Sequence, residues 1–164
     1  MANGIQQHQE GMHRVCSELI GRGVFATPDD NHTMVDVYAD GDRRGRRWRI
    51  EVHTCQRQRR RFVTKITRRG FLTDNEDGTL PLADGPIAPD FWVLFHLPGS
   101  FFVLRHKDIC PIQKARNEAY ADGFFKRNGR WPDFSTGVDN VTTANVERFR
   151  GQWQEIISEV RRTL

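Results

Sequence analysis

The chain has 164 residues, of which 37% are hydrophobic, and this composition predicts a single folded domain over residues 1–164. It has no apolar run of membrane-spanning length and no apolar segment behind a basic N-terminus, so neither a membrane helix nor a secretory signal is predicted. The three cysteines are far apart and lack metal-ligand spacing, which favours a reducing, cytoplasmic location. The net charge is +4, which favours an anionic partner.

The N-terminal segment predicts a helix that ends at Gly21-Arg22-Gly23. Its apolar residues recur at helical spacing, which indicates that one face packs on the core. A short strand is predicted at residues 24–26, followed by a turn at residues 28–31, where Pro, Asp and Asn cluster. The apolar stripe of the helix consists of Ile5, Met12, Val15, Cys16, Leu19 and Ile20.

Two alternating segments then predict a β-hairpin. Polar and apolar side chains alternate over residues 34–39 and again over residues 47–53. The polar segment 40–46 contains two glycines and predicts the turn between them.

This hairpin places two carboxylates face to face. Folding the chain symmetrically about Arg43 and Arg44 sets Asp36 opposite Glu51, with His53 two residues further along the same strand face. Adjacent carboxylates repel each other unless a cation lies between them, so the pair indicates a divalent metal site. The alternative is that both acids are solvated, or that Glu51 pairs with one of the arginines around it.

Further strands are predicted in the middle of the chain. The basic segment 56–61 predicts a loop, residues 62–67 a short strand, and residues 68–89 a long surface connection rich in Gly, Pro, Asp and Asn. The continuous apolar run 91–95 is typical of a strand covered on both faces. After a short turn, residues 101–104 predict a further strand.

Two helices are predicted in the C-terminal part. One has Pro111 in its first turn and extends to about Lys126, while residues 127–142 are predicted to be irregular. The final helix has a stripe that indicates core packing: Val146, Phe149, Trp153, Ile156, Ile157 and Val160.

The order of these elements predicts an α/β fold in which a central mixed β-sheet is flanked by helices. Its core is expected over about residues 10–110, and a C-terminal helical part over about residues 111–164.

Basic residues are concentrated in one part of the chain. From Arg43 to Arg69 there are twelve Lys or Arg residues and a single acid, Glu51. The run is rich in arginine, which suits contact of planar guanidinium groups with phosphates, so we expect nucleic acid, above all DNA, as the partner. The alternative is a solvated basic loop. The arginines expected to contact phosphates are Arg43, Arg44, Arg46, Arg47, Arg49, Arg57, Arg59, Arg60 and Arg61.

The order of elements and acids resembles the PD-(D/E)XK nuclease superfamily, which includes restriction-endonuclease-like and Holliday-junction-resolvase-like folds. The family motif is an acid on one strand and acid-x-Lys on the next. The match is VDV at residues 35–37 followed by RIEVHT at residues 49–54. Residues 88–94 are similar to the strand that follows in the family, and residues 145–157 to a C-terminal helix that many members carry.

The resemblance implies a Mg²⁺-dependent DNA endonuclease. In the family's chemistry Asp36, Glu51 and the carbonyl of Val52 hold Mg²⁺, with Mn²⁺ as an alternative ion, and the metal polarises the scissile phosphate and activates a water. Glu10 resembles an acid that several members add to the metal site; the alternative is a solvated helix face. Cleavage of both strands by this fold usually implies a homodimer.

One departure from the motif leaves two functions open, because His53 stands where the family has lysine. Histidine can donate a hydrogen bond or accept a proton near neutral pH, and so replace lysine as a catalytic residue. Lys65, on a neighbouring predicted strand, is a second candidate for the missing catalytic cation. The alternative function is a catalytically impaired nuclease-like module that binds nucleic acid or a protein partner without cutting.

Overall fold

A five-stranded mixed sheet forms the centre of the fold. The computed structural model describes residues 2–29, 35–40, 47–72, 88–133 and 139–162. A 3₁₀ turn at Glu147–Phe149 precedes the last helix. In chain order the elements are α1 (Ala2–Gly21), β1 (Ala26–Pro28), β2 (Val37–Asp40), β3 (Arg47–Cys55), β4 (Arg61–Val63), β5 (Phe91–His96), β6 (Ser100–Arg105), α2 (His106–Asn128), β7 (Asn140–Thr142) and α3 (Gln154–Arg162).

The sheet has the strand order β1-β2-β3-β5-β6. Strand β3 runs parallel to β5, and the other neighbours are antiparallel. Strands β4 and β7 form a separate two-stranded sheet. The predicted α/β class with a central mixed sheet is confirmed. No helix in the described ranges is long and apolar enough to cross a membrane.

The predicted register of the hairpin is also confirmed. Val37 pairs with Ile50, and Asp40 at the end of β2 pairs with Arg47 at the start of β3. The centre of the predicted turn, with Arg43, Arg44 and Arg46, lies outside the described residues.

Helices α1 and α3 cover one face of the sheet. The alternating strand residues that were predicted to share a face, such as Val37 and Ile50, are buried there with Met12 and Leu19 of α1 and Ile156 of α3. Alternation with a period of two puts the intervening polar residues on the opposite face.

Helix α2 and the two-stranded sheet cover the other face. Trp92 and Leu94 of β5 are buried there with Phe62 of β4, Ile109 of α2 and Val141 of β7. Strand β5 is therefore covered on both faces, as its continuous apolar run predicts.

Helix α2 begins at His106, earlier than a helix with Pro111 in its first turn would begin. The Asp108 carboxylate accepts a hydrogen bond from the Arg105 N–H at 3.3 Å, which stabilises a helix start at His106. Pro111 therefore lies in the second turn, where the missing N–H removes one intrahelical hydrogen bond.

The predicted C-terminal helix is interrupted. Gly151 has a φ of 63° and donates its N–H to the Phe101 carbonyl at 2.8 Å, so the chain leaves the helical path before α3. Val146 consequently packs in the α2-side core, whereas Ile156 packs in the α1-side core.

Three strand predictions also need correction. Strand β1 begins at Ala26 rather than at residue 24. Strand β4 ends at Val63, because Lys65 has a φ of 56° and the chain turns there. Strand β7 lies within residues 127–142, which were predicted to be irregular; its partner is β4, a segment distant in sequence.

Gly11 of α1 packs against β3, and an added Cβ at this position would overlap the Thr54 hydroxyl. We expect Gly11→Ala to lower the free energy of unfolding by about 1–3 kcal/mol, the usual cost of overpacking, although Ala favours helix. Thr54→Ala removes that hydroxyl, which has no hydrogen-bond partner, so the double variant should recover most of the loss. Denaturant unfolding is the measurement. Gly4→Ala, which meets open space in the same helix, is the control, and an equal effect of both alanines would contradict the expectation.

Candidate active site

An open pocket of about 710 Å³ lies between the start of α1, the middle of β3 and the turn that follows β4. Four predicted catalytic or metal-binding side chains border it together, although they come from three separate segments. The lining residues are Gly4, His8, Asp36, Glu51, His53, Val63, Lys65 and Arg69.

Asp36 is positioned by an unpaired edge of β3. Strand β2 begins at Val37, opposite Ile50, so Val52 lies beyond the end of its partner strand. The Asp36 Oδ2 atom accepts the Val52 N–H at 2.7 Å and satisfies this donor. The N–H and C=O of one strand residue point to the same side, so the Val52 carbonyl also faces the Asp36 edge.

His8 of α1 contacts the other oxygen of Asp36. Its Nε2 atom lies 2.8 Å from Asp36 Oδ1. This hydrogen bond raises the pKa of His8, an effect that burial opposes and that the charges of Asp36 and Glu51 reinforce. Glu10, the predicted acid on this helix, is exposed beside Arg14 at 3.8 Å and does not line the pocket.

Glu51 is buried, with 5% of its surface exposed, and its charge is balanced locally. Its Oε1 atom forms an ion pair with Arg69 and lies 3.4 Å from His53 Nε2. A buried carboxylate without such partners would be strongly destabilising. The Arg69 guanidinium also lies over the Phe71 ring, at 4.4 Å from its centre. The ion pair with Arg69 agrees with the alternative interpretation of the sequence, in which Glu51 pairs with one of the arginines around it.

His53 is held by a column of stacked rings. Its imidazole stacks on Trp92 at 5.6 Å, and Trp92 stacks on His106 at 6.1 Å. His106 Nδ1 accepts the Trp92 indole N–H at 3.0 Å, and its Nε2 donates to the Phe71 carbonyl at 2.9 Å. His53 Nε2 is buried, has no hydrogen-bond partner among the described residues and lies 3.4 Å from Glu51 Oε1.

Lys65 and Arg69 reach the pocket from a turn that Asp139 caps. The buried Asp139 carboxylate accepts the Thr67 N–H at 2.9 Å and the Arg68 N–H at 3.0 Å. This cap supports the left-handed backbone of Lys65, which is costly for a residue with a side chain. Both charged side chains are therefore placed by a residue far away in sequence.

Two predicted phosphate contacts line an adjoining pocket of about 350 Å³. Arg59 and Arg61 border this second pocket, which shares Gly4, His53 and Val63 with the first. The two pockets thus form one groove, with the carboxylates at one end and guanidinium groups at the other.

The other arginines that were predicted to contact phosphates, where the structure describes them, differ in their exposure and in their ion pairs. Arg57 and Arg60 are exposed. Arg47 is exposed and pairs with Asp40 at 3.2 Å. Arg49 is instead held by Asp90, which accepts hydrogen bonds from both its backbone and its guanidinium, so this predicted phosphate contact has a structural role.

The donor chemistry of the pocket fits a hard divalent cation. The oxygens on this edge are the Asp36 and Glu51 carboxylates and the Val52 carbonyl, the ligand types that Mg²⁺ prefers. Within the described ranges, no group of three or more His, Cys, Asp or Glu side chains could hold a metal ion. The cation would replace the contacts that His8 and Arg69 now make with the acids.

The predictions missed three residues of the site, His8, Arg69 and Asp139, and the sequence pattern contains a signal for His8 alone. His8 precedes Gly11 by three residues and Met12 by four, so extending the apolar stripe back by one turn reaches it. Arg69 and Asp139 have no local signal, because their roles depend on contacts between distant segments.

Comparisons with protein-family models, with curated proteins and with solved structures gave no match to this chain. The function is therefore inferred from the geometry of the pocket.

Burial lowers the pKa of His106, so its contribution to stability is complete above about pH 6.5 and is lost as the pH falls below that value. Protonation would also set an N–H at Nδ1 against the Trp92 N–H. His106→Gln keeps an acceptor and a donor but cannot titrate. We expect the stability difference between wild type and variant to shrink by up to about 1.4 kcal/mol per pH unit below pH 6.5.

Urea unfolding at pH 7.5, 6.5 and 5.5 measures this difference. His8, whose pKa is raised, loses its contribution as the pH rises through that pKa, but it is present in both proteins and cancels. A constant difference at the three pH values would contradict the assignment.

Proposed function

We propose that this chain is a metal-dependent DNA endonuclease of the PD-(D/E)XK type. The observation that carries the proposal is the joint position of Asp36, Glu51 and Lys65 in one pocket beside a run of exposed arginines. Two carboxylates that can bind a cation, an exposed ammonium group and a cationic approach are the parts that phosphodiester hydrolysis needs.

The proposal extends to the restriction-endonuclease-like fold. Helix α1 is followed by an antiparallel meander, β1 to β3, with the acids at the start of β2 and within β3. Strand β5 then returns parallel to β3. This order supports the family assignment because it sets the motif acids on adjacent strands of a mixed sheet.

In this proposal Asp36, Glu51 and the Val52 carbonyl hold Mg²⁺. The ion, when bound, polarises the scissile phosphate and makes its water ligand more acidic. Asp36 has two tasks, since its second oxygen continues to accept the Val52 N–H and keeps the carboxylate oriented. Arg69, displaced from Glu51, remains close enough to contact the phosphate.

Lys65 and His53 provide the remaining chemistry. The Lys65 side chain is exposed in the pocket, so its ammonium can stabilise negative charge on the phosphate oxygens. His53 Nε2 has no hydrogen-bond partner and can orient a water or accept its proton. Arg59 and Arg61 bind neighbouring phosphates in the adjoining pocket, which positions the substrate without reading its sequence.

Removal of either acid tests the site. We expect Asp36→Asn and Glu51→Gln each to lower cleavage of plasmid or branched DNA by at least about 100-fold in Mg²⁺ or Mn²⁺. Both amides are isosteric with the acids, and the amide oxygen introduced by Asp36→Asn can still accept the Val52 N–H, so the fold is retained. Titration calorimetry with Mn²⁺ should show weaker ion binding, which is a readout independent of cleavage.

Asp40→Asn is the matched control, because Asp40 lies on β2 outside the pocket and pairs with Arg47. Cleavage that survives both Asp36→Ala and Glu51→Ala would remove the pocket as the catalytic centre.

The roles of Lys65 and His53 can be separated by substitution. Lys65→Gly removes the ammonium while favouring the left-handed backbone, and we expect turnover to fall at least about 100-fold with DNA affinity nearly unchanged. His53→Ala should lower turnover more than affinity, and His53→Lys should retain or raise it. Single-turnover cleavage and binding isotherms are the measurements.

Arg68→Ala is the control in the same turn, because Arg68 is exposed and does not line the pocket. Wild-type turnover of Lys65→Gly would exclude Lys65 from the mechanism, and wild-type turnover of His53→Ala would exclude His53.

A second candidate function is supported by the charge balance of the acids. Asp36 and Glu51 are already paired with His8 and Arg69, which is an arrangement that a binding module without catalysis would also retain. Such a module would bind DNA in a salt-dependent manner, would not cut it with any divalent ion, and would bind equally well after Glu51→Gln. Cleavage that Glu51→Gln abolishes would exclude it.

A further inference from the structure

The end of helix α2 carries an exposed aromatic cluster that the proposed nuclease site does not use. Trp131 is 60% exposed and Phe125 is 40% exposed, yet the two rings stack at 4.6 Å with 28° between their planes. Tyr120 and Phe124 extend the cluster along the helix, 5.9 Å apart. Large aromatic rings exposed together are unusual on a surface that binds nothing.

The local backbone fixes this cluster in place. Gly129 adopts a φ of 67° at the helix end and donates its N–H to the Phe125 carbonyl at 2.8 Å, so the chain reverses. Trp131 is thereby set against Phe125, and the buried Pro132 anchors the chain beyond it. The rings are thus presented by a capped helix end, which lowers the entropy cost of binding.

Cations surround the rings. From Gly123 to Pro132 the chain has three basic residues and no acid, with Asp122 and Asp133 on either side. The Arg130 guanidinium lies over the Phe124 ring, at 5.6 Å from its centre. The basic residues, all exposed, are Lys126, Arg127 and Arg130.

We propose that this aromatic and basic cluster is a binding site for single-stranded nucleic acid, in which Trp131 stacks on an unpaired base and the three cations contact phosphates. Every base has a flat face that stacks on an aromatic ring, and backbone phosphates complement the local positive charge. Duplex bases are already stacked on each other, so a double helix offers the rings no internal base face.

The cluster lies within reach of the proposed active site. Asn117 of α2 hydrogen-bonds Thr67 in the turn that carries Lys65, at 3.1 Å. Phe125 is eight residues further along the helix, which is about 12 Å at the α-helical rise. An unpaired segment held by Trp131 could therefore adjoin a phosphate in the pocket, although the binding itself does not depend on cleavage.

Intrinsic fluorescence and labelled oligonucleotides test the proposal. Of the four tryptophans, Trp131 is exposed while Trp48, Trp92 and Trp153 are at most 8% exposed, so acrylamide quenching reports mainly on Trp131. A dT20 oligonucleotide should protect it from acrylamide. In anisotropy titrations Trp131→Ala should weaken dT20 binding at least about fivefold, with little change for a 20-base-pair duplex.

A second variant, Arg130→Gln, tests the phosphate contacts. It should reduce the slope of log binding constant against log salt concentration for dT20 by about 0.7, the value for one lost phosphate contact. Phe25→Ala is the control, because Phe25 is also an exposed aromatic residue, 63% exposed, but lies beside β1. Asp36→Asn should leave dT20 binding intact. Failure of the proposed cleavage and failure of the proposed single-strand binding site can therefore be distinguished.

Equal dT20 affinity of Trp131→Ala and wild type would overturn the proposal, as would equal losses for dT20 and duplex. Protection of Trp131 that rises with protein concentration and is unaffected by dT20 would also overturn it, in favour of contact between two copies of the chain.

Discussion

The candidate site depends on a mismatch in length between two neighbouring strands. Strand β3 has nine residues, but its antiparallel partner β2 begins only opposite Ile50. The Val52 N–H is left without a strand partner, and a buried backbone donor must be satisfied. Asp36, the residue just before β2, fills this position with its carboxylate. The hydrogen bond to the Val52 N–H therefore fixes Asp36, one of the residues proposed to bind metal, through a backbone requirement.

The second constraint is the charge of the acids. A buried carboxylate such as Glu51 is tolerated only with a partner, and here each acid has one from a different element: His8 of α1 hydrogen-bonds Asp36, and Arg69 of the capped turn forms an ion pair with Glu51. These pairs give both carboxylates a polar partner within the protein. They also oppose metal binding, because a metal ion has to bind the two acids more favourably than His8 and Arg69 do.

The surroundings of His53 favour a flat aromatic ring at this position. A flat imidazole at residue 53 stacks on Trp92, which in turn stacks on His106 and hydrogen-bonds it. An aliphatic lysine stem would give up this ring contact. The ammonium group that the motif usually supplies from β3 comes, in the proposed mechanism, from Lys65, held by a turn that Asp139 caps. In this proposal the role of the family's lysine is divided between His53 and Lys65.

The sequence by itself determined the hairpin register, which brings Asp36 and Glu51 to one pocket, and the double burial of β5, because alternation and apolar runs are local patterns that decide which face a side chain takes. Only the tertiary structure decided that β4 pairs with β7, that His8 rather than Glu10 reaches the site, and that the Arg69 and Lys65 side chains enter it. Those choices depend on contacts between segments distant in sequence, such as the Asp139 cap on the turn after β4. The start of α2 and the break before α3 were likewise set by a carboxylate cap and by a glycine bonded to a neighbouring strand, which helical periodicity does not encode.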